Sequence, residues 1–525
     1  MKLISNITIA VLSLSVLCLP SCKQAEAESY TGLKLAASST LVDAGNSLTV
    51  TGTFYKEDAA DATATVSYVL SSDTTGGAYF GTAGTTTSGT SGSAVTLTLG
   101  SVTSGQVKVS ATCGSYSAVI YCGVKGNSSS ISAADLPSGF ASYGASSNFG
   151  GNGGTVKIVN TSSDLLTYAK KGSCVIYVNG MIDMTGGCLP SSATDDDAEL
   201  GAFISSYTDG TYTSWSAWRK AYAGACTSSS DYTSTNSTLN GYQTKLVKAW
   251  KTLIQIPVAS NTTIIGLTSS CGIKGGTISL SGVSNVALRN LVIQDPIDPF
   301  PHHEDGDGFN AQYDGITIQG TTSHIWIDHC TFEDTICTKF SDFAYPSLSG
   351  GGSEMWQIYD GLCDMKDSAD YITVSYCVFK NHDKTMLLGS SDTNYSANNN
   401  GLRTVTLHHN EFLNCVQRLP MVRNTMCHIY NNYYCVDGTA YSNSYAVGLR
   451  AGNEVYAEGN YFGSGITATS DSYGDYYFTN NSGCSSMGSA AWQPSSYYAY
   501  TVDSPSTAMS NVLSSAGAGK ASVSK

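Results

Sequence analysis

Val286–Ile293 (VALRNLVI), Ile325–Phe332 (IWIDHCTF), Ile372–Phe379 (ITVSYCVF), Val405–Phe412 (VTLHHNEF), Cys427–Tyr434 (CHIYNNYY) and Val455–Phe462 (VYAEGNYF) align without a gap. Each opens on a short alternating strand. Most carry a small or amide residue at the sixth position, and five of the six end in an aromatic. Their starts are 39, 47, 33, 22 and 28 residues apart, a spacing of one strand-bearing unit per repeat, which indicates a solenoid. Strands this short, joined by loops of variable length, predict a parallel β-helix. Equal positions in successive windows then stack, so Asn and aromatic ladders run inside the coil. The long loops leave from one side and build a cleft. Gly241 to Ile254 reads as a helix packed near one end.

The rest of the composition agrees with an all-β chain. At 525 residues the chain is long enough for two domains. Charged residues are 13% while Gly (54) and Tyr (33) are plentiful. That excludes a coiled coil, a helical solenoid and a disordered chain, all of which use many Lys and Glu. Lys+Arg is 26 against Asp+Glu 40, a net charge of −14, so no nucleic-acid partner is expected. A polyanionic ligand would need a local basic patch or a bridging cation.

Residues 1–21 read as an export signal. Lys2 is followed by a mostly apolar stretch, Ile7 to Leu19, too short to span a bilayer. It ends in Leu19-Pro20-Ser21-Cys22, which resembles the lipobox of bacterial lipoproteins and implies a lipidated Cys22. The expected location is a bacterial cell surface or outer membrane, with secretion as the alternative, and membrane contact only through the lipid. Setting aside Cys18 and Cys22, the 16 cysteines leave 14, an even number that could form disulfides after export. Residues 28–126 alternate with period two between Gly/Ser/Thr turns, as in Ser47–Thr51, Thr63–Val69 and Gln106–Ala111. This predicts an antiparallel sandwich and resembles an Ig-like spacer domain. Residues 127–134 read as a Ser-rich linker, and 135–525 as the β-helix.

Stacking converts sequence offsets into neighbours. Lys384 lies five residues after Phe379, and Arg418 six after Phe412, so the two cations should stand side by side. Arg423 follows five residues on. Asp314 precedes Ile325 by eleven residues, and Asp360 and Asp364 precede Ile372 by twelve and eight. Three carboxylates on neighbouring rungs need a cation. Oxygen-only ligands suit a hard ion, Ca²⁺ before Zn²⁺. Asp328 and His329 read as a buried hydrogen-bonded pair, and His408, His409, Asn431 and Asn432 as ladder residues. Glu304 to Gly308 and Asp195 to Asp197 read as solvated segments.

These stretches have a family resemblance. Ser260–Gly266, Ile325–Cys330, Asp360-Gly361-Leu362-Cys363-Asp364, His382-Asp383-Lys384, Arg418–Arg423 and His428–Asn432 follow one another in the order of the pectate lyase family, and residues from about 139 to 520 resemble it. The resemblance implies a right-handed parallel β-helix, acting as a monomer, that cleaves polygalacturonate by calcium-assisted β-elimination to 4,5-unsaturated oligogalacturonides. It implies Asp314, Asp360 and Asp364 as calcium ligands, Lys384 and Arg423 as substrate contacts, and Arg418 as the catalytic base. Asn424 and Thr425 stand where the family usually has an aromatic and then Gly, an expected change in the cleft wall.

Three other readings compete. A β-helical glycoside hydrolase needs two carboxylates about 5–9.5 Å apart around a sugar, whereas here acids and bases are expected to segregate. A non-catalytic glycan binder would have no use for Arg418 with its acidic partners. A pectin lyase, acting without calcium on methylated substrate, would not need Asp360 and Asp364.

Overall fold

The computed structural model describes residues 31–38, 41–42, 45–71, 73, 75–100, 105–124, 130–146, 148–392, 403–498 and 500–525. The export signal and Cys22 lie outside them. From Gly32 to Val124 the chain forms two five-stranded sheets, paired antiparallel apart from one short parallel pair. Alternate residues of their strands, such as Val66, Tyr68 and Leu70, fill one apolar core with Leu48, Val50, Leu97, Val107 and Val109.

Beyond this, three parallel sheets of eleven, eight and eight strands span Thr155 to Gly488, the last strand of the longest turning antiparallel. Each aligned window crosses a corner. Its first four residues pair in the longest sheet, with Val286, Ile325, Ile372, Val405, Cys427 and Val455 in one register. Its last residues pair in the second sheet.

The fifth position makes the corner. Asn290, His329, Tyr376, His409, Asn431 and Gly459 all have φ between 48° and 65°. This left-handed conformation is uncommon for residues other than Gly, Asn and Asp, yet a single one per rung turns the chain onto the next sheet. The side chains it throws outward stack on each other: His329 on Tyr376 at 5.0 Å and Tyr376 on His409 at 4.7 Å between centroids. The sixth position turns inward. It runs Leu291, Cys330, Cys377, Asn410, Asn432, Asn460 up the coil, all buried. Asn410 Nδ2 donates to Asn432 Oδ1 at 2.9 Å, Asn432 Nδ2 to Asn460 Oδ1 at 3.0 Å, and Asn460 Nδ2 to Asn481 Oδ1 at 2.9 Å. The eighth position stacks Phe332, Phe379, Phe412, Tyr434 and Phe462 at 4.6–5.2 Å. Each such pair adds about 0.5–1.5 kcal/mol beyond the area it buries.

An amphipathic helix, Ser162–Lys171, buries Leu165 and Ala169 beside the first coils; Thr161 caps it by accepting from the Asp164 N–H. The expected helix near Gly241 is Ser237–Ile254, capped by Asn236, and it is joined by Ala198–Tyr207 and Trp215–Ala223. Together they build a second core around Trp215, Trp218, Trp250, Phe300, Phe309 and Trp356. Trp215 and Trp250 donate their indole N–H groups to Pro299 and Ile297 carbonyls, fixing the loop that leads to Asn310 and Asp314.

Three expectations are corrected. All 14 cysteines among the described residues are free thiols, most of them stacked in or under the coil. The segment given as a linker is in part structural: Ser130–Ile131 pairs in parallel with Ser522–Val523, and Ile131 packs against Val175, Tyr177 and Ile265. The acidic run at 195–197 is not merely solvated. Asp197 caps Ala198–Tyr207, and Asp196 accepts from the Ser216 N–H and hydroxyl.

Candidate active site

The sequence-predicted residues converge at the corner between the second and third sheets. Strand Val378–Lys384 ends on Lys384, which lies in register with Gln417, so Arg418 stands one residue further on the next rung. Asp364 sits in Cys363–Met365, and Asp314 lies just ahead of Ile316–Gln319, the strand that pairs with it. Gly361 bridges to Lys384.

Asp314 and Asp364 are both about 2% exposed or less. Between them lies Lys366, its Nζ 3.1 Å from Asp314 Oδ2 and 3.4 Å from Asp364 Oδ2. The Gly361 N–H donates to Asp314 Oδ1 at 3.1 Å, and the Leu387 N–H to Asp364 Oδ1 at 3.0 Å. Burial, and after it the charge of Asp314, push the Asp364 carboxyl up to about 8 against the pull of Lys366. Asp314 is raised as well, again by burial first. A Cβ on Gly361 would collide with Asp364 Oδ1 and come 2.9 Å from Asp314 Oδ1, so only Gly fits this cradle.

The third acid, Asp360, pairs instead with Lys384 at 3.3 Å, and Lys384 also donates to Asn310 Oδ1 at 2.8 Å. Cations and carboxylates therefore interleave here, where the sequence predicts opposite edges. Among the described residues no three His, Cys, Asp or Glu side chains close tightly enough to enclose a metal ion as they stand.

The backbone of Asp360 is held from behind. His382 Nε2 lies 2.8 Å from the Asp360 carbonyl oxygen, and Nδ1 lies 2.6 Å from Asp334 Oδ2. Burial pushes the Asp334 carboxyl up to about 7 although His382 opposes it. His382 is itself raised, its burial outweighed by Asp334.

Arg418 takes φ 61°, a left-handed conformation in a long side chain that costs on the order of 1–3 kcal/mol and clusters at functional sites. Its Nε is buried with no hydrogen-bond partner, and no carboxylate pairs with it among the described residues. Arg423 pairs with the exposed Asp392 at 2.7 Å and reaches the Gly389 carbonyl oxygen at 3.4 Å. Asn424 and Thr425 are buried, Asn424 beneath Gly452 and Thr425 at the start of the next strand of the longest sheet. Contrary to expectation, neither forms a cleft wall. Asp328 and His329 form the buried pair, 2.8 Å apart, with Arg289 2.8 Å from the same carboxylate oxygen.

Sequence reasoning missed Lys366, Asn310 and the His382–Asp334 pair. For Lys366 a signal existed. It lies two residues after Asp364, and in a strand such residues share a face.

The pectate lyase family model matches residues 211–521, more than half the chain. The chain belongs to the pectate lyase family. Pectate lyase E of Dickeya chrysanthemi is 44% identical over 183 residues, covering 35% of this chain and 46% of that protein. Pectate lyase of Bacillus subtilis (strain 168) is 37% identical over 274 residues, covering 51% of this chain and 59% of that one. The chain thus spans about half the length of the curated relatives it matches. The solved pectate lyase from Acidovorax avenae subsp citrulli superposes with a TM-score of 0.65 at 24% identity, over 76% of this chain and 98% of that one. It shares the parallel β-helix, which in this family member carries the six aligned windows.

Proposed function

We propose that this chain is a calcium-dependent pectate lyase that cleaves polygalacturonate by β-elimination, giving 4,5-unsaturated oligogalacturonides. The observation that carries the reading is that Asp314 and Asp364 share Lys366 Nζ at 3.1 and 3.4 Å, with Lys384 paired to Asp360 and Arg418 following Lys384's partner Gln417 on the next rung. Asp314, Asp360 and Asp364 would hold the ion. The donor chemistry suits a hard cation: three carboxylates, now held by Lys366 and Lys384, would turn from the lysines to enclose it. When bound, calcium supplies positive charge shared between protein and substrate carboxylates, which makes the C5 proton of galacturonate easier to remove.

The chain's own groups do the rest. Lys384 and Arg423 offer fixed positive charge to the substrate carboxylates as negative charge builds beside C5. Arg418, with an unpartnered Nε and a left-handed backbone, is assigned as the base: in its neutral guanidine form it takes the C5 proton and becomes guanidinium, while the C4–O bond breaks and the departing oxygen takes a proton from water. His382 and Asn310 position Asp360 and Lys384 respectively. A hydrolase reading is disfavoured because Asp314, Asp360 and Asp364 are each tied to a lysine and so are not free to act as an acid and base pair about a sugar.

The sandwich of residues 32–124 is proposed as an Ig-like spacer and Cys22 as its lipid anchor at a bacterial cell surface; recovery of Cys22→Ala from the soluble fraction, with wild type in membranes, is the corresponding check.

Arg418→Lys tests the mechanism. Lys keeps the charge but not the planar geometry. A fall in kcat of several orders of magnitude at nearly unchanged KM is expected. Near-normal kcat with raised KM would leave Arg418 a binding residue.

A further inference from the structure

A second cavity lies between the helix Trp215–Ala223 and the loop at Phe343–Ser347. Its volume is about 470 Å³, within the ordinary range of small-ligand pockets. Arg219 lines it and is 5% exposed. Its guanidinium lies 4.2 Å from the centroid of the Trp215 ring, and its donors go to the Ala193 and Thr194 carbonyl oxygens. Carbonyls satisfy N–H groups but leave the charge uncancelled. The acid whose charge Arg219 feels, Asp196, is held by the Ser216 N–H at 2.7 Å and hydroxyl at 2.6 Å. Lys220, exposed, follows on the same helix and also lines the cavity. Two cations and no acid line the cavity, with the run Asp195–Asp197 following Thr194 on the chain.

The opposite wall carries Tyr345, 49% exposed, whose hydroxyl donates to the Phe340 carbonyl oxygen at 3.1 Å. That bond fixes the ring while about half of its surface stays open to a ligand. Ser216 and Ser347 add hydroxyls at the rim. A buried positive charge, a mobile ammonium, an anchored aromatic face and hydroxyls are the set that recognises a carboxylate-bearing sugar: charge for the carboxylate, the ring for the C–H face of the pyranose, hydroxyls for its oxygens.

We infer that this cavity is a second saccharide site that takes one uronic-acid unit, with Lys220 on its carboxylate, Arg219 supplying charge from behind and Tyr345 against the sugar ring. The site goes beyond the proposed cleft. Phe343 borders this cavity on one side and, on the other, a small enclosed void lined by His382 and Asp383. A uronide unit seated here lies apart from Asp360 and Lys384, neither of which lines the cavity.

Affinity electrophoresis in chelator tests this, with polygalacturonate or dextran cast into the gel. Wild type is expected to be retarded by polygalacturonate and not by dextran. The Lys220→Ala/Tyr345→Ala double variant, both positions being exposed, should keep its fold by circular dichroism and lose at least five-fold in affinity. Its kcat on a trigalacturonate should match wild type. Equal retardation of variant and wild type, or equal retardation by both polymers, overturns the site. Retardation that depends on Lys220 in a protein with no lyase activity supports the site and sinks the proposed activity alone.

Discussion

Asp314 and Asp364 share one ammonium group: Lys366 Nζ stands 3.1 Å from an oxygen of the first and 3.4 Å from an oxygen of the second. Two buried carboxyls, both raised by that burial, are thereby held on one ammonium. Lys366 is the built-in counter-ion of the acidic pair, and the proposed calcium site is assembled around it.

Removing that ammonium should destabilise the fold when no metal is present. Breaking one partner out of a buried ion pair costs about 3–5 kcal/mol. Lys366→Met is therefore expected to lower the thermal midpoint in chelator, and calcium should restore more of it than it adds to wild type. Melting curves with and without calcium check this. A variant that melts like wild type in chelator would show that Lys366 does not balance the two acids.

The Asn ladder predicts a position-specific cost inside the coil. Asn432 Oδ1 accepts from the Asn410 N–H at 2.9 Å and its Nδ2 donates to the Leu407 carbonyl oxygen at 2.9 Å. Asn432→Leu fills the space but leaves both backbone groups unpaired, at about 1–3 kcal/mol each. Urea unfolding should show a loss on the order of 2–5 kcal/mol. Cys377→Ala, one rung from Asn410 at the same window position, should cost less, because that thiol mainly fills volume.

Acid should destabilise the corner of the longest sheet where His408 and His409 are buried. His409 is held down to about 4 by burial, with Asp503 opposing, and His408 lies well below its usual range for the same first cause. A histidine whose folded value is depressed binds its proton more readily in the unfolded chain, so stability is full above about 6.5 and is lost as pH falls toward 4, at about 1.4 kcal/mol per unit for each group. Buried Asp298 and Asp334, raised to about 7, act with the opposite sign over part of this window. The comparison with His409→Gln isolates the histidine term: the variant should lose stability less steeply between pH 6.5 and 4. Parallel curves would place the acid sensitivity elsewhere.

Much of this was legible because a solenoid repeats its errors and its rules alike. The aligned windows carried the register, and position eight gave the aromatic stack from Phe332 to Phe462. Position five did not announce itself: His329, Tyr376 and His409 are ordinary residues, and only the corner geometry puts them in the left-handed region. The even cysteine count pointed to disulfides, but Cys330 and Cys377 occupy the inward position later taken by Asn, where a thiol serves as a small apolar filler. At the site, offsets brought Lys384 within one residue of Arg418's register. They could not show that Lys384 pairs with Asp360, since Asp360 lies outside the strands and its backbone is held by His382. Lys366 was readable from strand alternation beside Asp364.

The most direct test is the ultraviolet absorbance of unsaturated product on polygalacturonate, followed first in calcium and then after excess chelator. The account predicts a steady rise in absorbance that stops on chelation and resumes when calcium is restored. Chain shortening without any rise in absorbance, or a rise untouched by chelator, would contradict it.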